Sequence, residues 1–300
     1  MKVIQCNNLT KKFGHTEVLK DLSFSIEQNK ITGLIGRNGA GKTTLLKLIA
    51  GFTKPSSGEV EVFSEAPFNN LKISQNMIFI DDNMVLPQSL NLTETLEAVS
   101  QFYPNWDSAL AKRLFEYFSF HPKQRHQNLS KGMKSTFNII IGLAARCPLT
   151  IFDEPTTGMD AAIRKDFYRA LLKDYLDHPR TIVLSSHLLS EIDELLEDVL
   201  LIKNGEKRLH MSVEELKQLA IGLSSKADKI GELIRGKDVL YRKTVGVDSI
   251  YVVVENDFSE AEIQKMNANG IKLSPVSSED ICVYLTNTTK GGIDDVFTRS

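Results

Sequence analysis

Eight residues, GRNGAGKT at Gly36–Thr43, fit the spacing G-x-x-x-x-G-K-[ST]. A short apolar strand, Ile31–Ile35, is expected to run into them and a helix, Lys42–Ala50, to follow, which is the setting this pattern requires. Glycines let the backbone fold with its N–H groups turned inward on a polyphosphate, and the helix start adds the positive end of its dipole. Lys42 then reaches the outer phosphates as a point charge, and the Thr43 hydroxyl is a ligand for Mg²⁺. Gly36, Asn38, Gly39, Ala40, Gly41, Lys42, Thr43 and Thr44 are the expected nucleotide contacts.

A second stretch, LTIFDEP at Leu149–Pro155, reads as an apolar strand ending in two carboxylates. Such a strand delivers Asp153 to the C-terminal edge of a parallel sheet, where ligands bind, as a further anchor for Mg²⁺. Glu154, the next residue, can orient or deprotonate an attacking water. Alone, the pair could be two solvated acids. Beside a phosphate loop, it completes the parts of a nucleotide-hydrolysing site. A third stretch, LSKGMK at residues 129–134, opens an amphipathic helix. Ser130 suits its N-cap, but Lys131-Gly132 in the first turn is a poor choice for a helix, since Gly costs up to ~1 kcal/mol against Ala.

The elements that must hold these groups follow from the alternation of apolar patterns. Val3–Leu9, Leu22–Ile26 and Val60–Phe63 read as antiparallel strands, and Met77–Ile80 as another short strand. Residues 84–128 are mostly helical, broken at Pro87, Pro104 and Pro122, with Thr93–Tyr103 and Asp107–Phe118 as helices. Then strand and helix alternate: Leu149–Phe152, Asp160–Tyr175, Thr181–Ser185, Leu188–Leu196, and a strand Val199–Lys203 closing on Asn204-Gly205. That order implies a parallel sheet with right-handed crossovers. From about residue 212 the text is looser, with a strand at Ile250–Val254, a helix at Ser259–Asn269 and a strand near Ile271–Ser274. Two domains are expected, 1–215 with a helical part at about 84–145, and a small α+β domain at 216–300.

Composition excludes several classes. A net charge of −2 over 300 residues argues against a chain built around nucleic acid. Cys6, Cys147 and Cys282 form no CxxC pair, so neither a disulfide frame nor a zinc site is expected. The opening residues MKVIQCNNLTKKFG lack the apolar core of a signal peptide, and no apolar run reaches the ~20 residues of a membrane helix. A cytosolic chain that reaches a membrane only by docking on a partner is the expectation.

In order along the chain, GRNGAGKTT, LSKGM, LTIFDEP, TTGMD and SSH resemble the motifs of the ATP-binding cassette family, the nucleotide-binding subunits of ABC transporters. The resemblance covers roughly residues 1–210. It implies an α/β P-loop cassette with a mostly parallel core sheet, an antiparallel β subdomain and a helical subdomain. It further implies ATP and Mg²⁺ as cofactors and ATP hydrolysis with Glu154, His187 and Lys42 as the catalytic set. Ser130 and the amides at Gly132 would contact the γ-phosphate held by a second cassette, a glycine allowing close approach. Asp160, in TTGMD, would lie at the seam of that dimer, although it also suits the N-cap of the helix that follows. Phe13, in KKFG, would stack on adenine; its alternative is a small hydrophobic staple between strands.

The sequence departs from the family in one place. A glutamine usually ends the strand before the helical subdomain, where it meets Mg²⁺ and the attacking water. Here that strand reads MIFIDDN, Met77–Asn83, and Asp82 stands nearest the glutamine's place, with Asn83 one residue on. Thr43, Asp82 and Asp153 are thus the expected metal ligands, a carboxylate being a good hard donor for Mg²⁺. Alternation along the strand predicts that Asp81 points away from the site; the alternative is that Asp81 and Asp82 both only face water.

The tail SPVSSEDICVYLTN, Ser274–Asn287, is similar to the closing stretch of cassettes serving ABC-2 type exporters, where SKGMK is also a common signature form. This implies a peripheral subunit at the cytoplasmic face of the membrane. Its partners would be a separate membrane-spanning permease and a second, identical or paralogous, cassette, with peptides or other amphipathic antimicrobial compounds as cargo. Two alternatives remain: a non-transport cassette protein acting in translation or repair, and a regulatory cassette that hydrolyses slowly.

Overall fold

The structure is a computed structural model that describes residues 1–246 and 248–287. Chain contacts divide it into Met1–His210 and a second unit beginning at Met211. Residues 288–300 of the expected C-terminal domain lie outside the described residues.

The first unit opens with β1 (Lys2–Phe13), β2 (Thr16–Glu27), β3 (Ile31–Ile35), α1 (Lys42–Ile49), β4 (Ser57–Val62), α2 (Leu71–Asn76) and β5 (Met77–Asp81). Helices α3 (Leu92–Ser100), α4 (Ser108–Tyr117) and α5 (Lys131–Ala144) follow, then β6 (Leu149–Asp153), α6 (Ala161–Asp177), β7 (Thr181–Ser186), β8 (Asp198–Lys203) and β9 (Glu206–Ser212). One sheet is antiparallel, in the order β2-β1-β4; the other has six strands in the order β5-β6-β7-β3-β8-β9. Its β5/β6, β6/β7, β7/β3 and β3/β8 pairs are all parallel. β3, β6 and β7 are buried along their whole length, the continuous apolar run that a sheet covered on both faces demands. The turn from β8 to β9 is Asn204-Gly205 with φ of 53° and 81°, the double left-handed pair of a two-residue hairpin.

This topology brings the chemistry to one edge. Parallel β3, β5, β6 and β7 finish on the same side, so Ile35, Asp81, Asp153 and Ser186 end there, Asp81 directly opposite Asp153 in register. Beneath the loop after β3, the apolar side of α1 (Leu45, Leu46, Leu48, Ile49) packs in one core with Ile4, Leu19, Leu22 and Val60. The phosphate-loop segment therefore rests on a rigid floor.

One expected helix does not form. Leu188–Leu196 is only a 3₁₀ turn at Leu189–Glu191. Leu189, Ile192 and Leu196 are nevertheless all buried, and the Glu197 amide donates to Ile31 O at 3.0 Å. The segment satisfies its apolar residues by lying along the sheet, and short-turn spacing imitates a helical one.

In the second unit α7 (Val213–Gln218), β10 (Ala220–Lys226), α8 (Ala227–Leu233), β11 (Val239–Val245), β12 (Ser249–Glu255), α9 (Glu260–Ala268), β13 (Lys272–Pro275) and α10 (Ser278–Thr286) form an antiparallel four-stranded sheet, ordered β11-β12-β10-β13, with helices. Leu223, Ile230, Ile250, Val252, Val254, Met266 and Ile271 are its core. Among the described residues no helix is long and apolar enough to cross a membrane.

Candidate functional site

The loop between β3 and α1 is shaped by its glycines. Gly41 has φ 105° and is the N-cap of α1 with no side-chain capping bond; Gly39 has φ 82°. Both conformations favour glycine. A Cβ on Gly36 would stand 2.6 Å from Ile202 O, and one on Gly41 2.7 Å from Leu19, whereas Gly39 meets nothing within 4 Å. Packing thus requires the two outer glycines and backbone angle the middle one. The first-turn amides of α1, uncapped by any side chain, are the type of donors that take an anion.

Lys42 is buried, donates to Gly36 O at 2.7 Å, and places Nζ 3.1 Å from Glu154 Oε1. Glu154 Oε2 lies 2.8 Å from His187 Nδ1. A carboxylate only accepts, so Nδ1 carries the proton in that bond and Nε2 is left to face outward. Glu154 Oε1 is buried and has no hydrogen bond; its contact with Lys42 is ionic. One strand over, the Ser185 hydroxyl donates to Asp153 Oδ1 at 2.6 Å and accepts the Glu154 amide at 2.9 Å. Ser185 therefore fixes both acids at once. Glu154 sits at φ 47°, in the left-handed region, with its carbonyl accepting from Thr157 Oγ1 at 2.8 Å.

One cleft of ≈ 520 Å³ is lined by Arg37–Thr44, Asp81–Asn83, Asp153, Glu154, Thr157 and His187. Val18, on β2, also faces it. Lys42, Thr43, Asp82, Asp153, Glu154 and His187 are thus brought together in one chain. Phe13 is not: it is 54% exposed at the end of β1, with Lys11 Nζ 5.0 Å above its ring. Ser130, Gly132 and Asp160 are not at this cleft either. Asp160 caps α6, accepting from the Ala162 and Ile163 amides at 2.9 and 3.0 Å. Ser130 caps α5, accepting from Met133 N at 3.3 Å.

One expectation needs correction. Asp81 does not point away: it lines the same cleft, because β5 ends at Asp81 and strand alternation stops there. Burial is the largest effect on its carboxyl and raises its pKa, with Asp153 and Asp82 adding to the rise and Lys47 opposing it. Gly132 also has a reason inside its own chain: a Cβ there would stand 2.4 Å from Gly158 O. The start of α5 presses on the turn after Glu154, and Ser135 Oγ donates to Thr157 O at 3.0 Å beside it. Sequence reasoning missed Ser185 and Thr157. The signal for Ser185 was a hydroxyl closing an apolar strand just before His187.

The donors fit ATP with Mg²⁺. Thr43, Asp82 and Asp153 offer hard oxygens at one cleft, with the orphaned Glu154 Oε1 beside them. Among the described residues no group of three His, Cys, Asp or Glu side chains forms a metal cage. Mg²⁺ held here would complete its shell from phosphate and water, as this cation usually does.

Comparison with known proteins agrees with this geometry. A family model described as ABC transporter matches residues 19–157. ABC transporter ATP-binding protein YtrB of Bacillus subtilis is 27% identical over 256 residues, covering 85% of this chain and 88% of that protein. Bacitracin transport ATP-binding protein BcrA of Bacillus licheniformis is 31% identical over 219 residues, 72% of each chain. A dimeric ATP-binding cassette solved in a post-hydrolysis state with ADP and Pi superposes with a TM-score of 0.60 at 22% identity, covering 70% of this chain and 98% of that one.

Proposed function

Since the chain belongs to the ABC transporter family of ATP-binding proteins, we propose that it is the ATP-hydrolysing subunit of an exporter whose membrane-spanning part is a separate permease. The observation that carries the reading is the Glu154 carboxylate, held between Lys42 at 3.1 Å and His187 at 2.8 Å at the edge of the phosphate loop. Lys42 and the α1 amides bind the phosphates. Glu154 takes the proton of the attacking water, and His187 orients Glu154 and faces the γ-phosphate. Thr43, Asp153 and Asp82 would hold Mg²⁺, which when bound neutralises charge on the phosphates. The exposed start of α5, with Ser130 as its cap, is offered to the nucleotide of a second cassette, so that ATP closes a head-to-tail pair and hydrolysis reopens it. Relatives named for bacitracin transport and for Nod factor export support export, with peptides or other amphipathic compounds as the cargo class. The subunit would then sit at the cytoplasmic face of the membrane through its permease.

The test is Glu154→Gln in the permease-bound complex. ATPase turnover should fall ~10²-fold or more, the scale of a lost general base, while ATP affinity holds and an ATP-trapped cassette dimer accumulates on gel filtration. Full activity in this variant would remove Glu154 from the role; failure of the chain to co-purify with any membrane protein would remove the transport reading.

A further inference from the structure

Lys131 is an odd residue for the first position of a helix. A cation there opposes the helix dipole. The structure shows what it faces. Lys131 Nζ lies 3.0 Å from Asp82 Oδ2, and the other oxygen, Asp82 Oδ1, accepts Asn83 Nδ2 at 2.7 Å. Both oxygens of this carboxylate are therefore engaged within the chain. The Lys131 stem runs beside Gly158, where an added Cβ would stand 3.2 Å from Lys131 Cγ.

We propose that Lys131 is a positioning residue for the metal at this cleft: it holds Asp82 as its counter-ion, so that a divalent cation must take the carboxylate from Lys131 before Asp82 can serve as a ligand. This inference rests on the nucleotide reading above. Two consequences of opposite sign follow. Without Mg²⁺, Lys131 masks one negative charge beside a polyphosphate and so helps binding. With Mg²⁺, Lys131 competes for the Asp82 oxygen and so raises the Mg²⁺ needed. Lys131 is 60% exposed at its side chain, so each effect is of the size of an open ion pair, roughly two- to fivefold.

The experiment titrates a fluorescent ATP analogue into the full chain, in EDTA and then against free Mg²⁺. Lys131→Met keeps the stem over Gly158 and deletes the charge. It should weaken binding in EDTA by roughly two- to fivefold and lower the half-saturating Mg²⁺ by a similar factor. Lys131→Arg should restore both values. Asp82→Asn should raise the Mg²⁺ requirement, and in that background Lys131→Met should change nothing further. A thermal melt of each variant, unchanged within a few degrees, separates these effects from misfolding. An Lys131→Met variant that shifts both titrations in the same direction, or that adds its effect fully to Asp82→Asn, overturns the proposal. A wild-type chain that fails to bind the analogue at all overturns the nucleotide assignment beneath it.

Discussion

Two helix starts in this molecule carry a glycine, and they do so for different reasons. At α1, Gly41 takes φ 105°, no side chain caps the helix, and Lys42 lies buried at the floor of the cleft. At α5, Ser130 caps the helix and Gly132 has ordinary helical geometry, yet a Cβ on it would strike Gly158 O at 2.4 Å. The first end leaves its amides open for an outside anion. The second closes its own cap and uses the missing side chain to bring a helix onto the turn that follows Glu154. A glycine at a helix start is therefore not by itself a phosphate signal; the capping state and what lies opposite decide it.

The contrast can be tested by substitution, and the largest effect is expected at α1. Lys42→Ala should weaken binding of a fluorescent ATP analogue about 10²-fold, the worth of charge-assisted bonds to two phosphates. Near wild-type affinity would erase the distinction between the two ends. At α5 the effect should appear in stability. Gly132→Ala gains ~1 kcal/mol of helix propensity but must push back a backbone carbonyl, so that a net loss of about 1–2 kcal/mol is expected. Urea denaturation measures it, with ATP binding to the lone chain unchanged as the companion observation. If stability holds and only ATP-driven pairing of cassettes is lost, the glycine serves the second subunit alone. The smallest change is Ser130→Ala, which removes a cap worth ~1 kcal/mol. Its thermal midpoint should drop by roughly 2–4 °C for a unit of this size, and a drop larger than that of Gly132→Ala would reverse the ranking of the two residues.

How much of this was readable beforehand depended on how local each feature is. Gly36–Thr43, Asp153 and Glu154 were legible because strand, turn and functional side chain are contiguous, and the parallel sheet then had to gather them at one edge. Asp81 was misread because alternation holds only while a strand lasts, and β5 ends on that residue. The Lys131–Asp82 pair joins residues on separate elements, and no local pattern announces it. β11 went unseen for another reason: VLYRKTV has no fully buried residue, so no apolar face marks it as a strand. The helix expected at 188–196 failed because Leu189, Ile192 and Leu196, buried at turn spacing, satisfy the sheet without winding.

The left-handed backbone at Glu154 has a consequence for how this molecule can change. A non-glycine residue at φ 47° stores on the order of 1–3 kcal/mol, and here Ser185 and Thr157 hold it in place from either side. Glycine or asparagine would relax the turn. A lineage drifting under selection for robustness alone would reach for them and lose the carboxylate. Glu154 thus marks a point where adaptation to heat and adaptation to work pull apart, and hardening of this chain has to come from residues elsewhere.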